Sequence, residues 1–88
     1  MNMEDVIEKI IEMIEDNIDR TYDFELNGEI SLFGDLELDS LEMVLLFDDF
    51  EQEYGFSVDM EELKTFSTIE NDMLIKDVAN YVCSKVND

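Results

Sequence analysis

In the stretch Asp35-Leu36-Glu37-Leu38-Asp39-Ser40-Leu41-Glu42 a lone serine stands between an aspartate and a leucine, where a helix is expected to begin. Serine beside aspartate at a helix start is ordinary capping chemistry, in which a side-chain oxygen accepts an orphan N–H of the first turn. Here Asp39 fills the cap position, and Glu42 three residues on completes the spacing of a capping box. Ser40 is then the first helical residue, with its hydroxyl uncommitted. A helix N-terminus carries partial positive charge and unpaired N–H groups, so a phosphate esterified to Ser40 would be favourably placed.

Other chemistry is poorly supported. An EF-hand loop starting at Asp35 would need glycine at its sixth position and glutamate at its twelfth, but Ser40 and Leu46 stand there. With no histidine and one cysteine, Cys83, no transition-metal cluster and no internal disulfide are expected. Cys83 falls on the flank of a helical stripe, and no nucleophile–base pair accompanies it. Any two of the 25 acidic residues could be imagined as an acid–base pair, so counting singles out none. The carboxylates read as a solvated face, and neither an enzyme nor a metal site is expected.

The elements that must position Ser40 follow from periodicity. Val6, Ile7, Ile10, Ile11, Ile14 and Ile18 form one apolar stripe at helical spacing, with Glu8, Glu12, Glu15 and Asp16 outside it. From about Asp19 to Leu38 the period disappears. A stretch of that length without structure of its own is uncommon unless it functions or wraps the core. Leu26, Ile30, Leu32, Phe33 and Leu36 predict a long loop pinned along the helices. The second helix is predicted over Ser40–Tyr54, stopping at Gly55. A short third helix follows, capped by Asp59 with Glu62 three later, and carrying Met60, Leu63 and Phe66. The fourth shows Ile75, Val78, Ala79, Val82 and Val86. The expected fold is all-α: a small four-helix bundle of three longer helices and one short third helix, with a long first loop.

The chain's 88 residues make one small domain, spanning 1–88, that buries roughly 60–65% of its unfolded surface. Its formal charge of −20 could signal disorder, but 45% of the residues are apolar and fall at helical spacing, which favours a folded acidic domain. Such a surface repels phosphate backbones and excludes nucleic acid as a partner; partners should carry basic patches. No apolar run is long enough to span a bilayer. No secretory signal is expected, and one unpaired thiol fits a reducing, cytoplasmic compartment.

Stepping the second helix by about 100° per residue puts Met43, Leu46, Phe47, Phe50 and Tyr54 on one face, which must be core. Leu41 and Leu45 fall away from it, beside Asp48, Asp49 and Gln52. Scattered surface leucines are common, but two together on a charged face, one turn from Ser40, read as a contact surface.

The run SLFGDLELDSLEMVLLFDDFEQEYGFSV, residues 31–58, resembles the acyl carrier proteins, as does the order of helix, long loop, acidic helix, short helix and last helix. The specific part is Asp39-Ser40-Leu41, preceded by Phe33 and Asp35-Leu36 and followed by Tyr54-Gly55-Phe56. The resemblance implies that Ser40 bears 4′-phosphopantetheine, transferred from coenzyme A by a separate phosphopantetheinyl transferase. An acyl group would then ride as a thioester on the arm. It also implies that Asp39, Leu41, Glu42, Leu45, Asp48 and Asp49 form the docking surface for acyl-loading and acyl-processing enzymes. The protein would be a carrier, expected as a monomer.

Several positions depart from the family's pattern. Glu37 stands where glycine often precedes the Asp-Ser pair, Leu45 where fatty-acid carriers commonly show glutamate, and Asp48 where an apolar residue is usual. The segment FSTIENDMLI is a few residues longer than the standard form, and the Gly-Gly-x-Ser of peptidyl carriers is absent. These departures point away from housekeeping fatty-acid synthesis and toward a specialised carrier of polyketide-like, other acyl or aminoacyl groups. The alternative from another class is an acidic module that is never modified and binds a basic partner through Leu41 and Leu45.

Overall fold

The computed structural model describes residues 2–86. Helix α1 spans Met3–Asn17, and the side chain of Asn2 caps it by accepting the Asp5 N–H at 2.9 Å. Val6, Ile10, Met13 and Ile14 are buried along it, and Ile18 is buried just beyond its end. Ile7 and Ile11 lie half-buried at the edge of the same stripe. The β-branched side chains cost a few tenths of a kcal/mol each in helix propensity. Burial of each contributes about 1.5–3 kcal/mol, so packing decides.

Helix α2 spans Ser40–Tyr54, as the periodicity predicts, and buries Met43, Leu46, Phe47 and Phe50. It ends at Gly55, whose φ of 75° is the left-handed conformation that glycine adopts without strain. Helix α3 spans only Met60–Lys64, and its cap Asp59 accepts the N–H groups of Glu61 and Glu62. Five residues cannot sustain a helix alone. Leu63 anchors α3 in the core, while Met60 stays exposed and Phe66 half-buried. Helix α4, Ile75–Val86, supplies Tyr81, whose hydroxyl accepts the Asp59 N–H at 3.0 Å. The Tyr81 ring stands edge-on to Phe56 and Phe66 at 5.8 and 5.4 Å.

The three longer helices and one short helix make the expected all-α bundle, with α1 packed chiefly on α4 and also on α2. The long first loop lies against this bundle through buried Leu32, Leu36 and Leu38 and half-buried Leu26 and Ile30. Phe33 differs from expectation and is 44% exposed. Cys83, on the flank of the α4 stripe, is buried. The loop's backbone finds its partners at the start of α4: Leu32 N–H reaches Met73 O at 2.8 Å, Ile75 N–H reaches Ile30 O at 2.9 Å, and Lys76 N–H reaches Gly28 O at 3.0 Å.

Two aspartates secure the segment between α3 and α4. Buried Asp77 accepts the Thr68 N–H at 3.1 Å, the Thr68 hydroxyl at 3.0 Å and the Leu74 N–H at 3.0 Å. Asp72 reaches across to the first loop, accepting the N–H groups of Phe33 and Gly34 at 2.9 Å each, besides that of Met73 at 2.7 Å. A Cβ at Gly34 would lie 2.9 Å from Ser31 Oγ and 3.0 Å from Asp72 Oδ2, so a larger residue there would have to push these two side-chain oxygens aside.

Candidate functional site at the start of the second helix

Ser40 is exposed at the first position of α2. Asp39 Oδ1 accepts the Glu42 N–H at 2.8 Å, and Glu42 Oε1 accepts the Asp39 N–H at 3.1 Å. The capping box is therefore complete without the serine, and among the described residues the Ser40 hydroxyl has no hydrogen-bond partner. The site fits a phosphate ester: a free hydroxyl, open to solvent, beside the positive end of a 15-residue helix.

The turn leading into Ser40 is held from below. Arg20 Nη2 lies 3.0 Å from the Leu36 carbonyl, 3.1 Å from the Glu37 carbonyl and 2.9 Å from Glu42 Oε1. The Tyr22 hydroxyl donates to the same Leu36 carbonyl at 2.9 Å. Glu37 itself sits at φ 55°, in the left-handed region. This is the position at which the resemblance noted in the sequence implies glycine and the chain carries glutamate. Nothing in local sequence spacing marks Arg20, which is 20 residues upstream of Ser40 in a loop with no period.

The structure divides the six expected docking residues. Leu41 and Leu45 are 69% and 47% exposed, and exposed Asp48 lies on the same side of α2. Val44, 63% exposed, joins them; its i+3 spacing from Leu41 was the available signal. Asp39 is exposed, but one carboxylate oxygen is engaged in capping. Glu42 is engaged twice over, by the capping box and by Arg20, and only 19% of its side chain is accessible. Asp49 turns toward α1, where its Oδ2 accepts from Asn17 Nδ2 at 2.6 Å.

Ser40, Met43 and Phe47 follow one line of α2 at i, i+3 and i+7. Along that line a groove of about 510 Å³ opens between α2, α3 and the 67–73 segment, with Phe33, Met43, Phe47, Met60, Leu63 and Ile69 among its lining. Phe33, Met60 and Ile69 make an exposed apolar rim. Asp72 closes one side. Partial burial pushes its carboxyl pKa up, but the N–H groups of Phe33, Met73 and Gly34, with the Ser31 hydroxyl, outweigh this and hold it below the ordinary value. Among the described residues, no group of three or more potential metal ligands comes together, and no helix is long and apolar enough to cross a membrane.

The family described as "Phosphopantetheine attachment site" matches residues 8–71. An acyl carrier protein of Petrotoga mobilis is 38% identical over 71 residues, which cover 81% of this chain and 82% of that protein. One of Rubrobacter xylanophilus is 33% identical over 70 residues, 80% of this chain and 85% of that protein. No solved structure matches the chain significantly.

Proposed function

Because the chain belongs to the acyl carrier protein family, and is thus a phosphopantetheine-bearing carrier and not an enzyme, we propose that Ser40 is the attachment serine. The observation that carries this is the division of labour at the start of α2: Asp39 caps, and the exposed Ser40 hydroxyl has no partner among the described residues. When bound, the arm supplies a terminal thiol that holds an acyl group as a thioester. The protein's own residues present that arm, recruit enzymes to it and offer the carried group partial shelter.

Recruitment falls to Leu41, Val44, Leu45 and Asp48, with Asp39 at the edge. An apolar centre inside an acidic rim suits a partner enzyme with apolar side chains framed by Lys or Arg. Such partners are a phosphopantetheinyl transferase and the enzymes that load and process the acyl group. The formal charge of −20 opposes self-association, which supports a monomer. Its 88 residues read as one domain, placed in the cytoplasm. The groove one turn along α2 from Ser40 is open to the proximal part of a carried chain. Leu45, Asp48 and the longer 66–75 segment support a specialised carrier over one of housekeeping fatty-acid synthesis.

Incubation with coenzyme A and a broad-specificity transferase, followed by intact-mass measurement, tests the reading. One arm should be gained by the wild-type chain and none by Ser40→Ala. A wild-type chain that gains no mass would instead be the unmodified acidic module.

A further inference from the structure

We infer that Arg20, the chain's single arginine, is a positioning residue for Ser40, acting through the Leu36–Leu38 turn; this rests on Ser40 being the attachment serine. Three acceptors converge on one nitrogen, Arg20 Nη2: the carbonyls of Leu36 and Glu37 and the Oε1 of Glu42. They belong to the two segments whose relative placement aims Ser40, the incoming turn and the first turn of α2. Glu42 Oε1 in turn accepts the Asp39 N–H, so the guanidinium reaches the residue next to Ser40 through one intermediate carboxylate.

The backbone conformation at Glu37 explains why such a clamp is needed. A φ of 55° is one that glycine adopts freely and that a residue with a Cβ resists. Left to itself, Glu37 would relax toward negative φ and swing the following Leu38-Asp39-Ser40 run. Arg20 opposes this by holding the Glu37 carbonyl, and Tyr22 by holding the Leu36 carbonyl beside it. An exposed ion pair alone would contribute little, and Arg20 is 39% accessible. Arg20 Nε also donates to the Tyr22 hydroxyl at 3.4 Å, so two nitrogens of one rigid plane hold Tyr22 and the three acceptors together, which an ammonium with its single nitrogen cannot reproduce.

The test is transfer kinetics from coenzyme A onto the full chain, with kcat and KM separated. Arg20→Ala should lower kcat by about tenfold, as misplacement of a reacting group does, with KM changed by less than about twofold because the docking face is untouched. Arg20→Lys should lose as much as Arg20→Ala. Adding Glu37→Gly to Arg20→Ala should recover part of the lost kcat, because glycine accepts the left-handed turn unaided. Amide resonances of Glu37–Leu41 should shift or broaden in Arg20→Ala while those of α4 stay in place. Wild-type kinetics in Arg20→Ala, or full rescue by lysine, would overturn the inference while leaving Ser40 as the attachment serine. If Arg20→Ala melts below the assay temperature, Arg20→Lys and Tyr22→Phe carry the test, the latter expected to lose less in the same kinetic constant. Failure of the wild-type chain to accept the arm would instead overturn the assignment of Ser40.

Discussion

Asp39 and Glu42 exchange hydrogen bonds, each carboxylate accepting the other's backbone N–H, at 2.8 and 3.1 Å. The residue between them and the solvent, Ser40, is thereby relieved of any structural duty. Ser40→Ala should melt within about 0.5 kcal/mol of wild type, as exposed substitutions away from special features do. Asp39→Ala should cost about 1 kcal/mol through loss of the cap. Thermal melts of the two variants check the division, and a serine variant that melts as badly as the aspartate variant would show that the hydroxyl helps hold the helix.

The two faces of α2 should respond oppositely to truncation. Phe50 is 1% exposed at the centre of the buried face and Leu45 is 47% exposed on the other. Phe50→Ala should destabilise by about 3–5 kcal/mol. Leu45→Ala should cost less than about 1 kcal/mol while weakening productive encounter with a transferase. Melts and transfer assays on the same two samples decide it: equal losses of stability would place Leu45 in the core.

The bundle was legible because burial and helical period coincide. Ile10, Ile14, Phe50 and Val82 sit in the core at the positions their spacing predicts, and Asp39 and Gly55 mark both ends of α2. Ser40 was legible because its cap is encoded three residues away. What escaped the sequence depends on contacts distant in the chain. Asp49 and Asp48 are adjacent and identical, and only the approach of Asn17 tells them apart. Tyr81 carries no periodic signal for the Asp59 N–H that it accepts. The left-handed turn at Glu37 is invisible locally, since glutamate ordinarily avoids it at a cost of about 1–2 kcal/mol. Phe33 looked like core because it is large and apolar, yet Asp72 holds its backbone at the surface.

Asp72 makes stability depend on pH at the acid end. Its folded-state pKa lies below the ordinary carboxylate value of 3.8, because three N–H groups favour the charged form. The stabilisation is therefore fully present above the unfolded-state pKa and is lost as pH falls through the lower, folded-state pKa. Asp72→Asn should be less stable than wild type near neutral pH, and the gap should close as pH drops below 3.8. Melting curves of both chains across that range check this. Curves that stay parallel would mean that the Asp72 charge contributes nothing to holding the first loop.

Neighbouring Asp48 and Asp49 permit a charge-matched test of the docking face. Reversing either to lysine changes the net charge equally, so relief of general self-repulsion is the same in both variants. Local surroundings then account for the differences. Asp49→Lys removes the acceptor of the 2.6 Å bond from Asn17 that fastens α2 to α1, and should cost about 1 kcal/mol relative to Asp48→Lys. Asp48 is exposed beside Leu45 and, among the described residues, accepts a side-chain hydrogen bond only from Gln52 on its own helix, at 3.1 Å. Asp48→Lys should leave the fold intact and slow association with a basic partner enzyme more than Asp49→Lys does. That deficit should shrink as salt rises, because screening shortens the reach of charge to about 8 Å at physiological ionic strength. Stopped-flow association at low and high salt, beside melts of both variants, gives the two readouts. If Asp49→Lys slows association as much as Asp48→Lys, net charge alone steers the encounter and the exposed face of α2 confers no local preference.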